Sequence, residues 1–190
     1  MKRDRAATEK KIYDAFISLL EKKGPQGVGI NAIAKKAGVS KELIYRYYGG
    51  LKGLLLNYAK SGDFFKPLHL VDDKEKSSVE DLKRFTKEGT KELRNNKITQ
   101  EILRWQLIEN KEETKDLFKY TNKQMEKIFA INDRDSSLQH AFHLMIGGYI
   151  YFTLSSKFNK KFINADLSSD EMWDKFDKAI EKTLDLFNEE

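Results

Sequence analysis

The chain contains no cysteine, which excludes disulfides, thiolate metal sites and a cysteine nucleophile and makes a reducing cytoplasm its natural setting. It has two prolines in 190 residues, so little interrupts a helix. Long hydrophobic runs are missing too. The longest apolar stretch, Ala141 to Leu154, covers 14 residues and includes His143, short of the roughly 20 that span a bilayer. The basic start, MKRDRAATEKK, is not followed by an unbroken apolar run with a small-residue cleavage site, so it does not read as a signal peptide. No membrane partner is expected.

The usual marks of enzyme chemistry are also absent. There is no Gly-rich phosphate loop, no GxSxG elbow and no HExxH, so catalysis has no visible residues to stand on. His140 and His143 are three apart on a helix, but no carboxylate at i or i+4 completes a set and no thiolate is available, so neither a metal nor another cofactor is expected. The acidic pairs Asp72-Asp73 and Glu112-Glu113 lie in polar runs and read as solvated or helix-start charges.

What is present is helix-forming material, with 39% hydrophobic and 34% charged residues, the balance of a soluble helical protein. The net charge of +5 is unevenly distributed. Residues 1–60 hold 13 Lys/Arg against 5 Asp/Glu, whereas residues 61–190 hold 22 against 25. A positive end joined to a slightly negative remainder is the footprint of a polyanion-binding module attached to something else. A solvated lysine-rich surface would give the same count.

Apolar residues recur with helical period almost throughout. Ile12, Ala15, Phe16, Leu19 and Leu20 form one stripe, ended by Gly24-Pro25; Ile30, Ile33, Ala34 and Ala37 form a second, stopped by Gly38. Ser40 is placed to N-cap a third short helix with Leu43, Ile44 and Tyr47, ended by Gly49-Gly50, and a fourth carries Leu51, Leu54, Leu55 and Tyr58. Further on, Ser77 with Glu80 and Ser168 with Glu171 have capping-box spacing. Between them the pattern gives helices over about 97–110, 112–131 and 136–157, and a last one over 169–188. No run alternates long enough to argue a sheet. The expected fold is all-α, about nine helices, with a three-helix head over residues 1–50 and an all-helical domain over 51–190 joined by the helix from Leu51.

The stretch Ile30 to Tyr48, INAIAKKAGVSKELIYRYY, places two short helices around the tight turn Gly38-Val39-Ser40. That is a helix-turn-helix: Ala34 and Ala37 permit close approach, and Gly38 permits the left-handed turn. The second helix of such a motif lies in the major groove. In Ile33-Ala34, Ala37-Gly38-Val39-Ser40, Ile44-Tyr45, Tyr48 and Gly49 the chain resembles the TetR family of transcriptional regulators over about its first 58 residues. Two positions depart from that pattern. Gly29 stands where threonine is usual, and Leu51-Lys52 where a lysine and an acidic residue are usual.

The resemblance implies a regulator, a repressor in type, that binds an operator in double-stranded DNA as a homodimer and responds to a small molecule. Carried over by position, it implies that Lys41, Leu43, Arg46 and Tyr47 read bases or nearby phosphates and that Tyr45 reaches a phosphate. Asn31, Ser40, Glu42 and Lys52 complete the candidate DNA-binding set. An arginine fork takes guanine O6 and N7 together, which singles out Arg46. For dimerisation, the stretch 136–157 is apolar nearly all round; Leu144, Gly147, Tyr151 and Leu154, with Trp173, Phe176, Ile180 and Leu184 of the last helix, form the candidate interface. Phe85, Trp105, Gln106, Tyr120, His143 and Tyr149 are candidate contacts to an apolar or aromatic effector. Two other readings are kept: a non-specific architectural DNA binder, and a small-molecule binding protein acting through a protein partner.

Overall fold

The computed structural model describes the backbone of residues 2–62, 64–69, 78–128 and 136–186, and the side chains of 5–62, 64–67, 78–128 and 140–186. Nine α-helices occur among the described residues: α1 Lys2–Lys23, α2 Ile30–Ala37, α3 Lys41–Tyr48, α4 Leu51–Lys60, α5 Val79–Asn95, α6 Lys97–Leu107, α7 Lys115–Ile128, α8 Ser136–Ser155 and α9 Asp170–Asp185. The all-α expectation holds, with one small correction. A two-residue antiparallel hairpin, β1 Lys161–Phe162 and β2 Ala165–Asp166, pairs Lys161 with Asp166. Strands this short carry too few residues for alternation to show in sequence.

The chain divides into two compact units, the first made of Met1–Phe64 and Glu101–Thr121, the second of Phe65–Gln100 and Asn122–Glu190. In the first, the apolar stripe of α1 is fully used: Ile12, Ala15, Phe16, Leu19 and Leu20 are all buried. The helix stops where Gly24 turns to φ 65° and its N–H donates to the Leu20 carbonyl at 2.9 Å. From α2, Ile33 and Ala34 enter the same core, from α3 Ile44, and from α4 Leu54, Leu55, Tyr58 and Ala59. A series of tilted and edge-to-face rings, Tyr13, Phe16, Tyr58, Phe64 and Phe118, runs through this unit at centroid spacings of 6.0, 6.2, 6.4 and 6.3 Å. Each buried aromatic or aliphatic side chain contributes about 1.5–3 kcal/mol relative to exposure.

The second unit is built on α5, α8 and α9. Leu82, Phe85 and Leu93 of α5, Phe142 and Tyr149 of α8, and Trp173, Ile180 and Leu184 of α9 are buried. The Trp173 indole donates to the Leu167 carbonyl at 3.0 Å, fixing the hairpin end against α9. Buried Gln100 donates from its amide to the Leu93 and Arg94 carbonyls at 2.7 and 2.9 Å, satisfying acceptors that the end of α5 leaves open. Among the described residues no helix is long and apolar enough to cross a membrane.

Two expected caps shift by one residue. The capping box of α5 is Ser78 with Asp81: the Ser78 hydroxyl accepts from the Asp81 N–H at 3.1 Å and the Asp81 carboxylate accepts from the Ser78 N–H at 3.1 Å. Ser77 lies outside the described residues. At α9 the N-cap residue is Ser169, whose side chain makes no cap bond, while the Ser168 hydroxyl donates to Asp166 at 2.6 Å instead. The helix expected over 97–110 ends earlier and the one expected over 112–131 begins later. α6 closes at Leu107, and residues 112–114 form a 3-10 turn ahead of α7.

One glycine holds the junction between α3 and α4. A Cβ placed on Gly53 would lie 1.6 Å from the Tyr48 carbonyl oxygen, so α4 can follow this closely on α3 only without a side chain there. Because backbone cannot swing aside as a flexible side chain can, Gly53→Ala is expected to destabilise the protein by about 1–3 kcal/mol. Thermal unfolding followed by circular dichroism should show Tm lowered by roughly 2–12 °C. An unchanged Tm would mean that the junction is not tightly closed.

Candidate nucleic-acid interface

The turn between α2 and α3 is made as its residues require. Gly38 adopts φ 65°, ψ 37°, and its N–H donates to the Ala34 carbonyl, ending α2. Ser40, extended at φ −76°, ψ 155°, occupies the N-cap position of α3. Its hydroxyl does not cap, contrary to the sequence expectation. It engages the Glu42 carboxyl instead, and that bond, helped by the Glu42 backbone and the Lys41 charge, holds Glu42 below the usual carboxylate range. The carboxylate near the α3 N-terminus is also favoured by the helix dipole.

With Ile44 fully buried, the outward face of α3 is set. Lys41, Glu42, Tyr45 and Arg46 are exposed, Leu43 and Tyr47 half-buried; Asn31 is exposed at the start of α2. These positions come together because α2 and α3 bury their apolar sides on each other and on α1. Tyr45 rests its ring against Gly50, where an added Cβ would lie 3.0 Å from it, and keeps 57% of its surface open. Tyr47 lies under the guanidinium of Arg5, 5.3 Å from its ring centroid, an attraction of about 0.5–1 kcal/mol at an exposed site. Arg5 is also bonded to Glu9 at 2.9 Å, so both it and Tyr47 already have partners within the protein.

Tyr48 braces the motif rather than facing outward. Its hydroxyl donates to the Glu9 carbonyl at 2.9 Å, tying the end of α3 to α1. Burial first, then the nearby Glu9 and Asp14 charges, raises its pKa, so it stays a neutral donor. Nothing in the sequence pattern marks Glu9 or Arg5 as partners of α3, since the contacts span about forty residues.

Lys52 has carboxylate partners within the protein. Its ammonium lies 3.3 Å from Asp116 and 3.8 Å from Glu112, because α4 packs against the 3-10 turn at Glu112–Thr114. The lysine is engaged by carboxylates while its side chain stays partly exposed. Glu112 in turn is held below the usual carboxylate range chiefly by Lys115, then with help from the Lys52 charge.

The expected effector contacts are divided between the two units. Trp105, Gln106 and Tyr120 belong to the first unit and Phe85, His143 and Tyr149 to the second. Trp105, Phe85 and Tyr149 are buried, Gln106 accepts from the Thr114 hydroxyl, and His143 is exposed. His140 and His143 stand 6.4 Å apart between ring centroids, and no group of three or more metal-ligating side chains occurs among the described residues. In the expected dimer face, Leu144, Gly147 and Tyr151 are exposed, with Leu144 at 78% and Tyr151 at 54%. Leu154 and Phe176 are half-buried, and Trp173, Ile180 and Leu184 are buried within their own unit, where α9 packs against α5 and α8.

The family model for bacterial regulatory proteins of the tetR family matches residues 12–58, the span from α1 to α4. No curated protein matches the chain. Among solved structures, it is similar to FadR of Thermus thermophilus, a TetR-family transcriptional repressor in complex with lauroyl-CoA. The identity is 18%, the match covers 95% of this chain and 93% of that one, and the TM-score is 0.60. It is also similar to the fatty acid degradation regulator FadR of Bacillus halodurans, at 20% identity over 93% and 97% of the two chains with a TM-score of 0.53. At these identities the likeness shows a shared fold.

Gly29, the departure noted ahead of α2, is a test of the local geometry. It is the N-cap residue at φ −150°, ψ 159°, makes no side-chain cap, and has nothing within 4 Å of where a Cβ would stand. A serine fits that backbone, supplies the missing acceptor and restricts the unfolded chain. Gly29→Ser is expected to raise Tm by roughly 1–4 °C; a fall would contradict the open, extended cap.

Proposed function

We propose, from the match of residues 12–58 to the family model for bacterial regulatory proteins of the tetR family, that the chain is a sequence-specific regulator of transcription of that family, a repressor in type, binding a palindromic operator as a homodimer. The observation that carries this reading is the outward face of α3. An apolar inner side is wholly committed to the core through Ile44, leaving Lys41, Glu42, Tyr45 and Arg46 exposed on a helix of eight residues. A helix that short is about 12 Å long, which suits entry into one major groove.

In this reading Arg46 reads a base and Lys41, Tyr45 and Asn31 hold phosphates, with Ser40, Glu42 and Leu43 at the edge of the contact. Tyr47 acts through Arg5, which it holds against α3. Lys52 serves α4 and the turn before α7 and is left out of the contact set. Residues 1–50 form the reading head and residues 51–190 the effector and dimerisation part. The pairing surface is the stripe Leu144, Gly147 and Tyr151 of α8, apolar and exposed in the single chain and flanked by half-buried Leu154 and Phe176. Two heads spaced roughly 34–36 Å apart would meet one face of the duplex. The effector is a small molecule with an apolar part; the Thermus protein of the same fold is in complex with lauroyl-CoA. It acts by binding the DNA-competent and DNA-free states with different affinity.

Selection of random duplex DNA by the purified chain, followed by sequencing, tests the whole reading. An enriched palindrome is the expected result. Binding without enrichment would convert the protein into an architectural DNA binder, and no binding at any salt would leave a small-molecule binding protein acting through another partner. On the enriched site, Arg46→Ala should lose about 1–3 kcal/mol of discrimination at one base position of each half-site; an unchanged preference would remove Arg46 from base reading.

A further inference from the structure

The second unit contains a cleft that none of the expected effector contacts lines. It measures about 710 Å3 and is bounded by the later turns of α5, the start of α6, the end of α8, and the segment leading from the hairpin into α9. Its charge is lopsided. Lys87, Lys91, Arg94, Lys97 and Lys157 line it against Asp170 and Asp177, leaving a local net of +3 in a stretch of sequence, 61–190, that is negative overall.

Lys87, Lys91 and Arg94 lie at i, i+4 and i+7 on one face of α5, where like charges repel by a few tenths of a kcal/mol per pair, about 0.2–0.5. Among the described residues Lys87, Lys91 and Lys97 have no ion-pair partner. The fold itself therefore offsets little of this repulsion.

Arg94 is held differently from the lysines around it. Its guanidinium sits over the Trp173 ring, 5.6 Å from the centroid, and one Nη2 lies 3.5 Å from Asp177. Its Nε and the second Asp177 oxygen have no hydrogen-bond partner in the protein. Behind them the buried Tyr149 hydroxyl lies near Thr90 and Asp177 without completing a bond of normal geometry; burial, then the Asp177 charge, keeps it protonated. Arg94 is thus a fixed fork among exposed lysines. The N-terminus of α9 faces the same space with no side-chain cap from Ser169, adding unfilled N–H groups.

We propose that this cleft binds a compact polyanion, a small molecule carrying two or more phosphate groups. An arginine fork takes two phosphate oxygens at once, and lysines neutralise the remainder without demanding geometry. The volume lies within the roughly 300–1,000 Å3 of small-molecule sites and exceeds what a lone phosphate needs. No residue of α3 lines the cleft, and the proposal does not depend on the function proposed for that helix.

Isothermal titration of the full chain with inorganic tripolyphosphate and with ADP, at low salt and with adenosine as control, tests this. Saturable binding of one anion per chain is expected, about tenfold or more weaker in Lys91→Glu or Lys87→Glu and unchanged in Lys182→Glu, which carries the same charge change on the far part of α9. Both cleft lysines are exposed, so circular dichroism should show the variants folded. Binding of tripolyphosphate alone supports the site with an inorganic chain as its ligand, and binding of ADP with adenosine silent supports it with an organic diphosphate. Wild-type affinity in both cleft variants, loss in Lys35→Glu of the head instead, or no saturable binding of either anion would overturn it.

Discussion

An eight-residue helix cannot sustain itself in water, because nucleating a turn costs more than so few hydrogen bonds return. Every outward side chain of α3 therefore depends on the inward contact that holds the helix in place. Ile44, buried completely, supplies the apolar anchor. Tyr48 closes the far end by donating to the Glu9 carbonyl, and Gly53 lets α4 pass where any side chain would strike the Tyr48 carbonyl. These three contacts reach α1, α2 and α4, so the outward face of α3 is a property of all four helices together.

The same dependence explains which parts of the head were legible in sequence. A buried helix side repeats every three or four residues, and glycine must stand where the chain turns left-handed, so the helices around Gly38 and Gly49 are plain from the letters. Polar contacts carry no such period. Lys52 is at a position that invites a phosphate, yet its carboxylate partners at 112 and 116 lie sixty residues on. Nor does anything in KRDRAATEKK distinguish the arginine that covers Tyr47 from the others beside it.

Capping shows a finer limit. The segment SSVED offers two registers of equal quality, Ser77 with Glu80 and Ser78 with Asp81, and the structure uses the second. In the register used, α5 begins at Val79 and buries Leu82, Phe85 and Leu93. At SSDEM the ambiguity is resolved differently, with Ser168 drawn to Asp166 of the hairpin. In α8 the apolar residues surround the helix, so sequence alone does not say which side faces the chain's own core. The structure divides them, with Phe142, Tyr149 and Thr153 inward and Leu144, Gly147 and Tyr151 outward.

Charge follows a comparable logic at two scales. Counting along the chain separates a basic head from a slightly acidic remainder, and this coarse reading agrees with the exposed lysine and arginine of α3. It also conceals something, because residues 87, 91, 94, 97 and 157 are scattered through a region whose total is negative. Folding gathers them at one cleft while acidic residues of the same region pair elsewhere, as Asp185 does with Lys83 and Glu171 with Lys175. A net charge describes what a segment carries; the field a ligand meets is set by which charges are paired off and which are left facing one another.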